Sequence, residues 1–537
     1  MKTMKLRFYG ADKEVTGSCH QLEARGKKLL IDCGLQQGGD ELEDNALPFA
    51  AGEVDCVLVT HAHIDHSGRL PLLVKNGFSG PIVATRLTCD LLRIMLMDSA
   101  RIQEMDAQWK SQKLSRAGVD PVEPLYTVED AQAALELLQP CEYGEELPLF
   151  DGITAKFVDA GHLLGSASIL VTAREAGATR TIAFSGDIGN TDQPIIRDPD
   201  YITQADYVVM ESTYGNRLHE GGGYTVEELA QLIDETLQKG GNVIIPSFAV
   251  GRTQELLYYI REMKAQGLVT CDPDFPVYVD SPLALEATEI YSGDLRGYAD
   301  EEALALLAKG FQPIRFSNLH LCRSSDESRM LNMDKKPKVI ISSSGMCEAG
   351  RIRHHLKHNL WRPDCTILFV GYQANGTLGR LLVDGIDNVK LFGERISVRA
   401  RIVNFRGMSG HADKAGLERW IGAFAENKPR KVFVVHGEEE AALTFSETIR
   451  LQGFDPITPD FKAEYDLIED RMIDPGVPAA SLHVRVAVQR KISPAYLRLQ
   501  QMGQRLLEVI RHNEGGANKD LSRFADQIQS LVDKWDR

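Results

Sequence analysis

Three observations predict an α/β fold class for this 537-residue chain. Short apolar runs broken by Gly10, Gly17, Gly26 and Gly34 open it in the manner of strands and turns. From about residue 212 strands and helices alternate regularly, as βαβ units with a parallel sheet do. After about residue 394 the opening style resumes. The pattern predicts a first domain made of two segments, 1–211 and 394–455, an inserted α/β domain at 212–393, and a C-terminal helical extension at 456–537. A length of roughly 150 residues per domain agrees with that division.

Taken in order, 6–8 and 28–31 read as strands, and 54–60 (VDCVLVT) as a buried strand that ends in the histidine-rich turn 61–68, with a helix from Arg69. Residues 86–140 read as two or three helices, on the spacing of Leu91, Leu92, Met95 and Leu96 and of Ala133, Leu135 and Leu138. Strands return at 153–158, 166–173, 179–184 and 206–211. In the insert, helix 225–239 leads to strand 242–246, helix 252–264 to strand 276–279, and strand 339–341 to a helix near 348–359 and a strand at 366–370. Strand 398–405, a helix from Asp413, strand 431–435 and a helix from Glu438 complete the first domain. Two amphipathic helices are predicted at 493–511 and 518–535, as a cap or as a hairpin for dimerisation or a partner.

Composition narrows the function classes. Sixty Lys and Arg against 76 Asp and Glu give a formal charge of −16, which excludes a protein that grips nucleic acid by bulk positive charge but leaves room for a local basic groove. With 43% hydrophobic and 25% charged residues the chain reads as globular. Apolar runs fall short of the ~20 residues of a bilayer span, and no signal-peptide core follows Met1–Lys5, so no membrane association is expected. Nine cysteines, odd in number and without a Cys-x-x-Cys pair, read as free thiols in a reducing compartment. That predicts a cytoplasmic protein and argues against zinc held by cysteine.

Histidine carries the chemical signal. His61-Ala62-His63-Ile64-Asp65-His66 places four metal-ligand side chains in six residues where a strand ends. They converge only if the backbone turns, and imidazole plus carboxylate without thiolate suits Zn²⁺. A single histidine there would read as structural. Four further sites put a polar residue beside glycine at the end of an apolar run: Asp159 to His162, Ser185 to Asp187, Ser409 to Asp413 and Val435 to Gly437. Each alone is weak, but together they mark one edge of a sheet.

On these residues the sequence resembles the metallo-β-lactamase superfamily, and within it the β-CASP nucleases, the group of the polyadenylation-factor nuclease and ribonuclease J. Asp32 in LLIDCG, the cluster HAHIDH, His162 and Asp187 match the four superfamily motifs, and Glu211, His411 in SGHAD and His436 in VVHGE match the three β-CASP motifs, all in order. The stretches 246–256 and 371–380 also look like β-CASP segments. The resemblance implies a metallo-β-lactamase αββα sandwich with the β-CASP domain as the insert.

It also implies two Zn²⁺ per chain. His61, His63 and His162 would hold one ion, Asp65, His66 and His436 the other, and Asp187 would bridge them. Asp32 would hydrogen-bond the loop that carries the cluster. His411 is then left to act as general acid, oriented and kept protonated by Glu211; the catalytic set is Asp65, Asp187, Glu211 and His411.

For substrate, Ser343, Ser344 and Gly345 follow a strand and precede a helix, so their N–H groups and hydroxyls can cradle a phosphate. Arg252, Arg380, Arg351, His354, His355 and Lys357 are expected to add positive charge, with Arg252 and Arg380 the best placed because they lie in the β-CASP-like segments. In the family, histidine at the last motif marks the RNA-processing branch, and His436 stands there. The expected function is a zinc-dependent ribonuclease on single-stranded RNA, endonuclease or 5′→3′ exonuclease, leaving 5′-phosphate and 3′-hydroxyl ends, with a homodimer possible. Its rivals are a metallohydrolase of small esters or lactams, disfavoured by the insertion and the Glu211/His411 pair, and a catalytically silent RNA-binding subunit, disfavoured because no ligand is missing.

Overall fold

The computed structural model describes residues 4–37, 46–115, 121–175, 177–219, 225–371, 373–374, 376–405, 409–478, 502–503, 505–507, 509–515 and 517–535. The chain forms two compact units, Met1–Ala479 and Ala480–Arg537.

Two sheets face each other in the first unit. One runs in the order Arg471–Asp474, Glu464–Asp466, Lys5–Phe8, His20–Ala24, Lys27–Ile31, Cys56–Leu58, Ile82–Thr85, Leu138–Cys141. The other runs Pro456–Ile457, Lys431–Val434, Tyr207–Met210, Ala178–Phe184, Ala167–Glu175, Ile153–Asp159, Glu146–Phe150. Alternate residues of Ile153–Asp159 are buried, as a strand with one face on a core requires. That core packs Phe8, Leu22, Ile31 and Leu58 from one sheet against Phe157, Ile169, Phe184 and Phe433 from the other. Helices Lys414–Gly422 and Glu439–Leu451 cover the outer face of the second sheet through Leu417, Trp420, Phe445 and Ile449. Helices Leu70–Lys75, Arg86–Ser115 and Val128–Glu136 cover the first sheet. The layers are helix, sheet, sheet, helix.

The insert is built on a third, parallel sheet: Leu319–Leu321, Val277–Val279, Val339–Ser342, Val243–Pro246, Thr366–Phe369, Arg401–Asn404. Its central strands are buried throughout, as strands covered on both faces must be. Helices flank it, and Val226–Gln238 starts in a reciprocal Thr225/Glu228 capping box.

The structure moves several expected boundaries. Strand Arg401–Asn404 pairs with Thr366–Phe369, so the insert's sheet reaches beyond residue 393. The preceding strand Glu394–Ser397 pairs only with Asn388–Leu391, in a separate two-stranded ribbon. Residues 456–474, expected in the helical extension, instead supply edge strands to both sandwich sheets. Leu138 opens a strand rather than closing a helix, and the helix expected from 348 begins at Ile352.

In the second unit helix Asn518–Trp535 is present as expected, and helical residues occur between 502 and 512. The remainder of the 493–511 expectation, 493–501, 504 and 508, lies outside the described residues, as do Tyr372 and Asn375 of the 371–380 stretch. No helix among the described residues is long and apolar enough to cross a membrane. Eight cysteines are buried and Cys271 is exposed; all nine are free.

Candidate metal centre

The expected ligands meet because each follows a strand that ends at the same rim of the sandwich. Asp32 follows Lys27–Ile31, the HAHIDH turn follows Cys56–Leu58, Asp187 follows Ala178–Phe184, Glu211 follows Tyr207–Met210 and His436 follows Lys431–Val434. His162 lies in the loop that joins Ile153–Asp159 to Ala167–Glu175.

Three groups among the described residues bring their donor atoms within 4.8 Å of one another: His61, His63, His162 and Asp187; Asp65, His66 and His436; and Asp187, Glu211 and His411. His63 Nδ1 lies 3.0 Å from His61 Nε2 and 3.3 Å from His162 Nε2, and His66 Nε2 lies 3.1 Å from His436 Nε2. Asp187 joins the groups: Oδ2 is 3.5 Å from His61 Nε2 and 3.7 Å from His162 Nε2, while Oδ1 is 3.2 Å from His66 Nε2 and 3.6 Å from His436 Nε2. Asp187 is 2% exposed, and its Oδ1 accepts no hydrogen bond. A buried carboxylate oxygen without a donor is costly unless a cation faces it, so the donor set and its crowding fit a bound metal.

The other ring nitrogens are held in the tautomers a metal needs. Asp32 Oδ2 accepts from His66 Nδ1 at 2.7 Å. The Thr60 hydroxyl donates to Asp32 at 2.9 Å, which leaves its oxygen to accept from His61 Nδ1 at 3.1 Å. Gly410 O accepts from His162 Nδ1 at 3.0 Å. Thr213 Oγ1 donates to His436 O and accepts from His436 Nδ1, each at 3.2 Å. Four imidazoles thus present Nε2 to the centre. Burial and the neighbouring imidazoles hold His61 and His162 well below the usual histidine range, in the neutral form that ligates. Burial opposes ionisation of Asp187, but His436, His66 and His61 outweigh it and hold the carboxyl well below its usual range.

Sequence reasoning missed Thr60, although it stands directly before the cluster. It also missed His219, whose Nε2 donates to His411 O at 2.9 Å.

His411 stands beside the ligands, its ring centroid 4.5 Å from that of His162. Its Nδ1 is 3.3 Å from Glu211 Oε1, an oxygen that also accepts from the Ile188 N–H at 2.5 Å. Burial works against the imidazolium, but Glu211 and Asp187 overcome it and push His411 up to about 10.

The expected phosphate contacts divide. Ser343, Ser344 and Gly345 follow Val339–Ser342 in the insert, and Ser343 Oγ is buried without a hydrogen-bond partner. Arg252 is paired with Glu255 in its own helix, and Arg380 with Asp384 at 2.9 Å. Gly251, at the head of the Arg252 helix, packs against Leu163, the neighbour of His162. Arg351 and His355 are turned elsewhere: they bond the buried Asp280 at 2.6 and 2.7 Å, and Lys357 pairs with Glu394 at 2.6 Å. Sequence reasoning offered these three as added charge near the phosphate, with a solvated helix face as the alternative; it could not see Asp280, some 70 residues upstream of Arg351 and His355, or the pairing of Lys357 with Glu394.

Comparison with known proteins agrees with this architecture. Residues 13–246 match the model of the metallo-beta-lactamase superfamily, 253–382 that of the Beta-Casp domain, and 395–459 that of the Zn-dependent metallo-hydrolase RNA specificity domain. Ribonuclease TTHA0252 of Thermus thermophilus is 39% identical over 451 residues, 84% of this chain and 97% of that protein. The chain belongs to the β-CASP family of the metallo-β-lactamase superfamily. Two further relatives come from Methanocaldococcus jannaschii. An RNase J-like protein is 32% identical across 83% of this chain and 95% of its own length. Transcription termination factor FttA is 30% identical across 83% of this chain and 69% of its own length. Family membership and the clustered histidine and aspartate groups together make a metal the cofactor.

Proposed function

We propose that the protein is a metal-dependent ribonuclease with two zinc ions, one held by His61, His63 and His162, the other by Asp65, His66 and His436, and Asp187 shared between them. The observation that carries this reading is the meeting of the two ligand groups at Asp187, which belongs to the first and lies beside His66 and His436 of the second, and whose buried Oδ1 accepts no hydrogen bond. When bound, the ions supply Lewis acidity and make hydroxide available near neutral pH. Every other part of the reaction falls to the chain. Ser343, Ser344 and Gly345 hold a substrate phosphate, with Arg252 and Arg380 adding charge from the same domain. His411, with Nδ1 committed to Glu211, protonates the leaving 3′ oxygen from Nε2. Asp32 and Thr60 keep His66 and His61 in their ligating tautomers.

RNA as substrate is supported by the RNA specificity domain model over 395–459, which includes His411 and His436, and by the names of the relatives. The presence of every ligand speaks against a silent subunit, and the 253–382 domain against a small-ester hydrolase. The test is to incubate zinc-loaded protein with RNA labelled at either end and with matched DNA, beside a His63→Ala variant and a chelator. RNA cleaved only by the zinc-loaded wild type is the expected result; mononucleotides released from the 5′ end mark exonuclease action and internal fragments endonuclease action. Equal cleavage of RNA by His63→Ala, or none by the wild type, overturns the reading.

A further inference from the structure

The ribbon Asn388–Leu391/Glu394–Ser397 has two unlike faces. Its register sets Lys390 opposite Arg395 and Asn388 opposite Ser397, so these four side chains share one face, while Val389 and Leu391 are buried on the other. Lys390 and Arg395 are exposed, and neither makes an ion pair among the described residues. Like charges directly across a strand pair destabilise it unless an anion lies over them. The nearby carboxylates are engaged elsewhere, Glu394 by Lys357 at 2.6 Å and Glu348 by the Leu378 N–H.

At the first strand of the ribbon lies a cavity of about 280 Å³, lined by Asn388, Val389 and Lys390, by Arg353 and Glu348, and by apolar residues such as Leu378. Arg353 donates from Nη1 to Glu348 O at 3.2 Å, but its Nε is buried without a partner. The Glu348 carboxylate is engaged by the Leu378 N–H at 2.5 Å. At the ribbon's turn, Phe392 stacks on His354 with centroids 4.3 Å apart, has the Arg353 guanidinium 5.4 Å from its centroid, and stays 48% exposed. Cations alternating with an exposed ring match a chain in which phosphates alternate with bases. The cavity volume suits a phosphate–sugar unit rather than a larger ligand.

The cavity shares its walls with the phosphate-binding loops. Cys347 and Glu348 lie two and three residues after Gly345, and the loop that carries Gly376 is tied to that segment by Gln373 Nε2 donating to Gly345 O at 3.1 Å and the Gly379 N–H donating to Met346 O at 3.1 Å. We propose that this basic ribbon face and its cavity form a second contact for the backbone and a base of single-stranded RNA, beyond the catalytic centre. The inference rests on the ribonuclease reading. An acidic peptide satisfies the cations but leaves the Phe392 ring unused, so RNA is the occupant the site favours.

The test compares the full, zinc-loaded chain with Lys390→Glu/Arg395→Glu, its neutral counterpart Lys390→Gln/Arg395→Gln, and Phe392→Ala. Binding of a 25-nucleotide phosphorothioate RNA is followed across a salt series. Loss of two phosphate contacts is expected to lower the slope of log affinity against log salt by about 1.4 in both double variants. Phe392→Ala is expected to bind about 10-fold more weakly. With cleavable RNA, KM is expected to rise for 25-mers and stay constant for 5-mers, with kcat unchanged. Unchanged salt slope, an equal KM change at both lengths, or displacement of the RNA by an oligoglutamate peptide at equal charge concentration overturns the proposal. A wild type that binds phosphorothioate RNA with the expected slope but cleaves nothing separates failure of the ribonuclease reading from failure of this site.

Discussion

The Nε2 of His219 donates to the carbonyl oxygen of His411 at 2.9 Å, while the backbone N–H of His219 donates to Asp413 Oδ2 at 3.1 Å. One residue of the segment after Glu211 thus grips both sides of Ser-Gly-His-Ala-Asp. Beside it the Lys414 N–H bonds Arg217 O at 3.0 Å. The same short stretch orients the His411 ring through Glu211 and its backbone through His219. Tyr214, with its ring 4.8 Å from that of His219, fills the space between them.

His219→Ala therefore removes the side-chain donor to His411 O and leaves that peptide held through the Ala412 N–H on Ile188 O at 2.8 Å. The displacement of His411 that this allows lowers kcat by about 10- to 100-fold, with zinc content unchanged. Glutamine at 219, which keeps an N–H donor, is expected to recover most of the rate. In a His411→Ala background the second substitution is expected to cost nothing more; a further drop there contradicts a role through His411.

Glu211→Gln tests the proton donor. With the carboxylate in place His411 is pushed up to about 10, so it is protonated at neutral pH and loses its proton as pH rises through that region. The stability this pairing contributes is full below the ordinary histidine value and is likewise lost as pH rises through the folded value. Removing the carboxylate moves the alkaline limb of the kcat profile to lower pH. An unmoved limb in the variant would contradict the assignment of His411 as acid.

Asp32→Ala removes the acceptor shared by His66 Nδ1, the Thr60 hydroxyl and the Thr60 N–H, the last at 2.8 Å. Loss of such a partner lowers metal affinity about 10- to 100-fold. Competition with a chromogenic chelator measures it, and the secondary structure by circular dichroism is expected to stay unchanged.

Zinc removal is expected to lower the thermal midpoint, because a ligand at 100 times its Kd adds about 2.7 kcal/mol to the folded state. Calorimetry with and without chelator checks this. Asp187→Asn, which gives the orphaned oxygen position an amide, is expected to reduce the zinc-dependent shift.

Asp280→Ala breaks a cluster in which Arg351, His355 and Ser328 all donate to one fully buried carboxylate, with Arg351 itself partly exposed. Removing one member of a buried charge pair costs about 3–5 kcal/mol. Urea denaturation is expected to show this loss at full zinc occupancy, since the cluster touches no metal ligand.

The clustering of histidines and aspartates was legible because short, ligand-dense words such as HAHIDH carry their signal in side-chain type alone. The insert was legible because buried parallel strands read as apolar runs between helices. What failed was non-local. Strands Leu138–Cys141 and Glu146–Phe150 are half exposed and carry Pro140 and Pro148, so neither alternation nor a continuous apolar run marks them. Arg351 and His355 looked like added charge near the phosphate because only the folded chain brings Asp280 to them. The domain edges near 393 and 455 were misplaced because pairing of Arg401–Asn404 and Glu464–Asp466 depends on partners far upstream.

The pairing of Lys5–Phe8 with Glu464–Asp466 also fixes an order of events during synthesis. Strand Lys5–Phe8 keeps one edge open until almost all of the first unit has been made, and long-range pairing of this kind is slow. His411 and His436 emerge late as well, after the whole insert. During synthesis the chain thus carries the HAHIDH cluster for hundreds of residues before the histidines that lie beside it in the folded centre have been made.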